Sequence, residues 1–234
     1  LEQLLAHRLG VVVHVEGAVA APGHHPPGEV ELHHPLPGKA REGVVHRIVD
    51  FPPGFAIDAD GVRANQGVES LAVTPDGRLI AGLEQPRAVD DGLSMGDGTD
   101  GALAIRTRLV EFVADGDSWR AARQWMYPLT PTRLGNGFAR ICGDGENGLT
   151  ELVALAPTAF LSLERACLLD GSGRARNRIA IYHVEVDGAD DVSEVPSLRT
   201  ATVRGVTKRL VLDFDTIIER LPPELDYLDN FEGM

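Results

Sequence analysis

Beyond residue 43 the chain alternates between short apolar runs and polar, glycine-containing breaks. The runs are Val44–Val49, Ser70–Val73, Leu79–Leu83, Leu103–Val113, Leu152–Leu155, Phe160–Leu163, Arg178–Val186 and Arg209–Phe214. In Ile179-Ala180-Ile181-Tyr182-His183-Val184-Glu185-Val186 the β-branched residues recur at every second position, the period of a strand. The breaks Pro75-Asp76-Gly77-Arg78, Asp115-Gly116-Asp117, Asp170-Gly171-Ser172-Gly173 and Asp187-Gly188-Ala189 supply the left-handed positions that tight hairpins need. Trp119–Met126 contains helix formers, but it lies between turn signals and ends in Tyr127-Pro128, so it is read as a strand. Only Thr216–Leu221 reads as a helical turn, stopped by Pro222-Pro223. Many short strands with almost no helix restrict the fold to an all-β sandwich, barrel or propeller.

Internal repetition chooses among these. Asn65-Gln66-Gly67-Val68-Glu69 leads into Ser70–Pro75 and then Leu79–Glu84. Asn147-Gly148-Leu149-Thr150-Glu151 leads into Leu152–Pro157 and then Phe160–Glu164. Asn230-Phe231-Glu232-Gly233 starts the pattern a third time. The asparagines are 82 and 83 positions apart. A propeller blade takes about 40–50 residues, so this interval predicts about two blades per repeat.

Residues 1–42 read as an irregular N-terminal segment rich in Pro, Gly and His, ahead of a β domain over 43–234. The pairs His24-His25 and His33-His34 lack a known ligand spacing and have no acidic cluster beside them, so they read as a solvated loop rather than a metal site. Leu1–Gly10 lacks the order of a signal peptide, and the end at Met234, inside the third repeat, reads as the edge of a fragment. No apolar run approaches the roughly 20 residues of a membrane-spanning helix.

Composition narrows the function. Lys plus Arg is 22 against 35 Asp plus Glu, a formal net charge of −13. That balance repels phosphate backbones, so nucleic-acid binding is not expected, and it suits a chain that collects cations. The 26 Gly and 15 Pro match a turn-rich fold. Cys142 and Cys167 either form one bridge in an oxidising compartment or serve as small core residues. No G-x-S-x-G, H-E-x-x-H, paired C-x-x-C or P-loop occurs. Gly96–Gly101 resembles a calcium loop in composition but lacks EF-hand spacing, and reads as a hairpin tip.

The chemistry then rests on the repeated acids. If the innermost strand of each blade lines a central channel, with a Glu at its start or end, then Glu69, Glu84, Glu151, Glu164 and Glu232 converge on one axis, with Asn65, Asn147 and Asn230 near its rim. Crowded carboxylates need a cation, an arginine or protonation. Two outcomes stay open: a Ca²⁺ site built from carboxylate and amide oxygens, or Glu–Arg pairs that hold blades together. Arg165 follows Glu164 directly, and strand neighbours face opposite ways. Arg165 is therefore expected to pair with an acid from elsewhere, or Glu164 to face out.

Several stretches resemble the bacterial family known as esterase-like activity of phytase, the phytase-like domain proteins. They are Asn65–Ala72 with Glu84-Gln85-Pro86, Leu161-Ser162-Leu163-Glu164-Arg165, Arg178–Val192, Lys208–Asp213 and Asp229-Asn230-Phe231-Glu232-Gly233. The resemblance covers roughly Gly43 to Met234 and implies a β-propeller with blades of short antiparallel strands, incomplete at the C-terminus, and exported to the periplasm, cell surface or medium. It implies hydrolysis of phosphate or carboxylic esters of small molecules. In the related β-propeller phytases, Ca²⁺ bridges acidic side chains and substrate phosphates. Their own acid pattern is absent from this chain, so their catalytic residues are not carried over. By motif position the resemblance assigns Asn65, Glu69, Glu84, Glu164, Arg165, Asn230 and Glu232 to the polar ring of the channel.

The enzymatic expectation has Glu69, Glu164 and Arg165 as catalytic residues and Asn65, Glu69, Glu84, Glu164, Asn230 and Glu232 as Ca²⁺ ligands. Metal-bound or Glu-activated water attacks, and Arg165 or Lys208 stabilises the developing charge. The alternative is a non-catalytic extracytoplasmic binding or scaffold propeller, with the same acids in structural Glu–Arg or Ca²⁺ sites.

Overall fold

The structure, a computed structural model, describes residues 10–16, 29–33, 47–64, 66–90, 94–95, 103–116, 118–130, 133–134, 137–138, 140–141, 147–169 and 175–220. Among them are fifteen strands and no α-helix. Strands β1 (Gly10–Glu16), β2 (Glu29–His33) and β3 (Arg47–Asp50) form a three-stranded antiparallel sheet in the order β2-β1-β3. The N-terminal segment is therefore not wholly irregular. The Val11-Val12-Val13 run of β1 is strongly β-prone and finds partners on both sides. His24, His25 and His34 lie outside the described residues.

The next sheet is an antiparallel meander of β4 (Val68–Val73), β5 (Leu79–Leu83), β7 (Leu103–Asp115) and β8 (Ser118–Leu129), with β6 (Ser94–Met95) added beside the start of β7. After the short strands β9 (Arg133–Leu134), β10 (Gly137–Phe138) and β11 (Arg140–Ile141), a second meander follows. It runs through β12 (Gly148–Ala156), β13 (Ala159–Leu169), β14 (Ala175–Glu185) and β15 (Thr207–Asp213), with β11 alongside β13. Gly77 and Gly116 turn two hairpins at φ 83° and 59°, which L-residues adopt at a cost. The region expected to hold one helical turn carries two short 3₁₀ turns, Phe214–Thr216 and Ile218–Arg220.

Each 82-residue repeat corresponds to one four-stranded sheet, not to two blades. The interval is long because its strands are long: β7 has 13 residues and β14 has 11. The connection over 186–206 adds more. Register also corrects the alignment of the repeats. Val68 pairs with Leu83 and Leu149 with Glu164, so the offset is 81 residues on both strands (68 to 149, 83 to 164). Bulges follow at the same place in each pair, at Glu69 and at Thr150. Glu164 is thus the counterpart of Leu83, and Arg165 that of Glu84. A one-residue shift in a strand exchanges faces.

The faces confirm this register. Val68, Leu79, Ala81, Leu83, Val110 and Phe112 pack against Val49, Phe55 and Val62 from the preceding segment. Their counterparts on the second meander, including Leu149, Phe160, Tyr182 and Val184, pack against the opposite face of the first, on Ile80, Leu109, Trp125, Tyr127 and Leu129. The sheets therefore stack in one sense, front of one on back of the next. On the far face of the second meander, Val153 and Leu155 are exposed, while Leu163 and Ile179 are covered by Phe214 and Ile218.

A strap fastens the two meanders. Residues 186–206, between β14 and β15, return over the first meander. Val192 N donates to Gln124 O (2.8 Å) and Val206 N to Met126 O (3.0 Å). Its anchor is Asp90, whose side chain is 0% exposed and whose carboxylate takes five donor contacts. Arg87 gives 2.7 and 3.2 Å, Arg108 gives 2.8 and 3.0 Å, and Leu198 N gives 2.7 Å. Arg108 also donates to Val192 O, Val195 O and Gln124 Oε1, so its guanidinium is buried but fully engaged. Burial pushes the Asp90 carboxyl up, but the Arg108 and Arg87 hydrogen bonds outweigh it and hold it below the usual 3.8.

Candidate functional site

Between the two meanders, beside the apolar layer of Ile80, Leu109, Trp125, Leu149 and Phe160, lies a buried polar cluster around Glu164. Glu164 follows Phe160 and Ser162 along the inward face of β13 and is 2% exposed. Its Oε1 accepts from Tyr127 Oη (2.7 Å) on β8 and from Lys208 Nζ on β15. Its Oε2 accepts from Thr130 N (3.0 Å) and Asn147 Nδ2 (2.6 Å). Tyr127 Oη is also 2.8 Å from Ser162 Oγ, and Asn147 Nδ2 donates to Thr130 O at 2.9 Å. A carboxylate has about four acceptor sites, and all four are occupied.

Lys208 closes the cluster from the other side. Besides Glu164, its ammonium donates to Pro128 O (2.6 Å) and Thr130 Oγ1 (2.8 Å). It sits 4.2 Å from the Tyr182 ring centroid and 4.9 Å from that of Tyr127. Burial lowers the Lys208 pKa, and the Glu164 charge opposes that shift. Burial, and then the Glu164 charge, push the Tyr127 hydroxyl well above its ordinary value and the Tyr182 hydroxyl above it too.

The fold does not impose this polarity. The counterparts of Glu164, Tyr182 and Lys208 in the first meander are Leu83, Val110 and Ala121, all packed in the neighbouring apolar layer. The same scaffold position accepts a hydrocarbon solution, which avoids the desolvation cost of a buried ion pair.

Outside Glu164 opens a small cleft lined by Thr130, Asn147, Arg178, Ala180 and Tyr182, about 160 Å³ including its mouth. That is below the roughly 300–1,000 Å³ of a site that engulfs a whole small molecule. Arg178 at its edge pairs with Asp213 at 2.7 Å. Burial lowers the Arg178 pKa, but Asp213 outweighs it and the net shift is upward.

Of the residues singled out in the sequence, the structure brings Glu84, Glu164 and Arg165 to the start of β12. Arg165 Nη2 reaches Glu84 Oε1 at 3.1 Å, so of the two outcomes left open it pairs with an acid from elsewhere, and Glu164 faces inward. Gly148 makes room: a Cβ there would lie 2.7 Å from Glu84 Cγ. Leu149 N donates to Glu84 O (3.1 Å), which ties β12 to the end of β5. Glu69 is half-buried in the β4 bulge, outside the shell of donors around Glu164. Glu151 is half-buried and accepts from Leu152 N at 2.9 Å. Asn65, Asn230 and Glu232 lie outside the described residues, as does Gly96–Gly101. Asp187, Asp190 and Asp191 form a surface turn, accepting from Thr158, Arg204 and Ser193 respectively.

Ca²⁺ takes six to eight oxygens at about 2.3–2.6 Å. With four donors on Glu164 and Arg165 on Glu84, these carboxylates do not fit that donor set. Among the described residues no group of three or more His, Cys, Asp or Glu is placed to hold a metal. Cys167 is disulfide-bonded, and the chain's other cysteine, Cys142, lies outside the described residues.

A family model described as esterase-like activity of phytase matches residues 30–234. The chain belongs to this phytase-like family. The match takes in both meanders, β3 and all but the first residue of β2, and so begins earlier than the resemblance read from the sequence. No curated protein and no solved structure matches the chain. The phytase-like assignment suggests chemistry of the hydrolase type. No helix among the described residues is long and apolar enough to cross a membrane.

The partners of Glu164 that motif spacing did not reveal are Tyr127 on β8, Thr130 just after it and Lys208 on β15. One sequence signal does mark Lys208. The chain has 22 basic residues but only two lysines, Lys39 and Lys208.

Proposed function

We propose that this phytase-like chain is an exported hydrolase of phosphate or carboxylic esters of small molecules, its two meanders being adjacent blades of a β-propeller. The observation that carries the reading is the family match across residues 30–234. The front-to-back stacking of two equivalent four-stranded sheets supports the propeller. The disulfide at Cys167 supports a periplasmic or extracellular location, because such bonds persist in oxidising compartments. On this reading the cleft beside Glu164 admits one small polar part of a substrate. Arg178, Thr130 and Tyr182 are its walls, and Glu164 with Lys208 fixes their positions. No step is assigned to Ca²⁺, because Glu84 and Glu164 are already engaged by donors of the chain.

The test is turnover of phytate, p-nitrophenyl phosphate and p-nitrophenyl acetate by the purified chain, with Ca²⁺ or with EDTA. Hydrolysis above a heat-denatured control, lost in Arg178→Ala, supports the reading. Absence of turnover on every substrate with and without Ca²⁺ refutes it.

A specific observation favours a second reading, a non-catalytic binding or scaffold propeller. Glu164, Arg165 and Arg178 are all already paired, so none stands ready as base or anion clamp. On that reading Glu164→Gln lowers thermal stability and there is no activity to lose.

A further inference from the structure

We propose that the Glu164 cluster is a cation cage selective for a primary ammonium group, filled in the folded chain by the chain's own Lys208. A lysine ammonium has three N–H donors. Three oxygens face Lys208 Nζ: Pro128 O at 2.6 Å, Thr130 Oγ1 at 2.8 Å and Glu164 Oε1. Its remaining direction is its own stem. The rings of Tyr182 and Tyr127, at 4.2 and 4.9 Å, supply the electron-rich faces that a desolvated ammonium prefers.

Every element of the cage favours this ion over the alternatives. Three oxygens are half or fewer of what Ca²⁺ requires, and a hard divalent ion gains little from aromatic faces in place of oxygen. A guanidinium brings five donors in a rigid plane, two more than the cage can accept. The use of lysine is itself selective: at the counterpart of Lys208 the first meander has Ala121, and elsewhere the chain relies almost wholly on arginine for positive charge. Where Ca²⁺ or an arginine was expected to neutralise the buried carboxylate, a tethered ammonium does so. Its charge is supplied by the fold, and needs no ion from solution.

Lys208→Ala tests this by emptying the cage while leaving its walls. The thermal transition of the variant is measured at fixed ionic strength with ethylammonium, tetramethylammonium, potassium or calcium chloride. The variant is expected to melt below the parent. Ethylammonium should restore roughly half of the lost transition temperature in a saturating manner, because it binds the folded state alone. Tetramethylammonium and K⁺, which have no N–H, and Ca²⁺ should restore none of it, and K⁺ rescue equal to that by ethylammonium overturns the proposal. If Lys208→Ala does not fold alone, refolding from urea with each salt gives the same comparison as yield of folded protein. Lys208→Arg should be destabilised despite keeping its charge. Rescue by Ca²⁺ equal to or greater than that by ethylammonium overturns the proposal, as does equal rescue by tetramethylammonium, no rescue by any salt, or full stability of Lys208→Arg. None of these readouts depends on whether the chain hydrolyses esters.

Discussion

Replacing Glu164 by Gln changes one oxygen to nitrogen and leaves volume and shape almost untouched, so any loss of stability reports the electrostatics of the cluster. The parent carboxylate accepts from Tyr127, Lys208, Thr130 N and Asn147. A glutamine keeps one acceptor oxygen and turns two N–H donors toward groups that are themselves donors. If the amide nitrogen faces Thr130 N, that backbone N–H is orphaned in a buried site. If it faces Lys208, donor opposes donor; in either orientation the ammonium, whose side chain is 10% exposed, loses its counter-charge. Breaking one half of a buried pair costs about 3–5 kcal/mol. At roughly 2–4 °C per kcal/mol for a chain of this size, the expected fall in Tm is about 6–20 °C. Removing the acid also removes what supports the Lys208 charge, so the Lys208 pKa drops further below 10.5. The loss should then shrink as pH rises toward that value, because the unfolded chain still binds a proton that the folded variant no longer holds. Calorimetry and urea titration of E164Q, K208M and the double variant give the coupling directly. The double variant, which removes both charges, should be more stable than E164Q alone. A loss in E164Q below about 1 kcal/mol, the range of a surface pair, would refute the reasoning.

Asp90→Asn leaves Arg87 and Arg108 buried without their shared carboxylate, and should cost about 3–5 kcal/mol by urea denaturation. Because the Asp90 pKa is held below 3.8, its contribution is present above that pH and lost as pH falls through the folded value, so D90N should flatten the acid limb of the stability profile. Gly82→Ala should destabilise by about 1–3 kcal/mol through overpacking, since a Cβ there would collide with Ser70 Oγ and lie 2.6 Å from Leu149 Cδ2; an unchanged urea midpoint contradicts this. Tyr127 and Tyr182 are held above 10.0, so they contribute stability that is complete below pH 10.0 and lost above it. Lys208, lowered from 10.5, works the other way only up to that pH. Urea midpoints should therefore fall most steeply above pH 10.5, and less steeply in Tyr182→Phe.

Much of the fold is legible in the sequence because it is local. Alternation in Ile179–Val186 marks β14, and Gly77 and Gly116 fall at the left-handed turn positions expected of them. The strand reading of Trp119–Met126 holds because Tyr127 and Leu129 continue its alternation into a buried face. The repeat interval is legible, but the face of each acid is not. Aligning Glu84 with Glu164 by their shared Leu-Glu ending shifts the register by one residue. That shift turns a residue facing the next sheet into one facing the previous sheet. Strand alternation leaves two outcomes open for Arg165, an acid from elsewhere or a Glu164 that faces out; that the first holds, and that the acid is Glu84, comes from the stacking of the meanders. The Lys208 cage is not legible either, because its members lie on β8, the segment after it, β13, β14 and β15, and only the stacking of the two meanders brings them within reach. Strands β1 and β2 were obscured by the prolines and histidines between them.

The central claim is that a buried lysine ammonium, rather than a metal ion, neutralises Glu164. With only two lysines in the chain, selective ¹⁵N-lysine labelling gives two Nζ resonances, and loss of one in K208M assigns Lys208. This ammonium should be visible at neutral pH, exchange slowly with water, be shifted by the Tyr182 and Tyr127 rings, and not respond to Ca²⁺ or EDTA. An Nζ signal for Lys208 in rapid exchange with water at the position of a free lysine, or one displaced when Ca²⁺ is added, would contradict it.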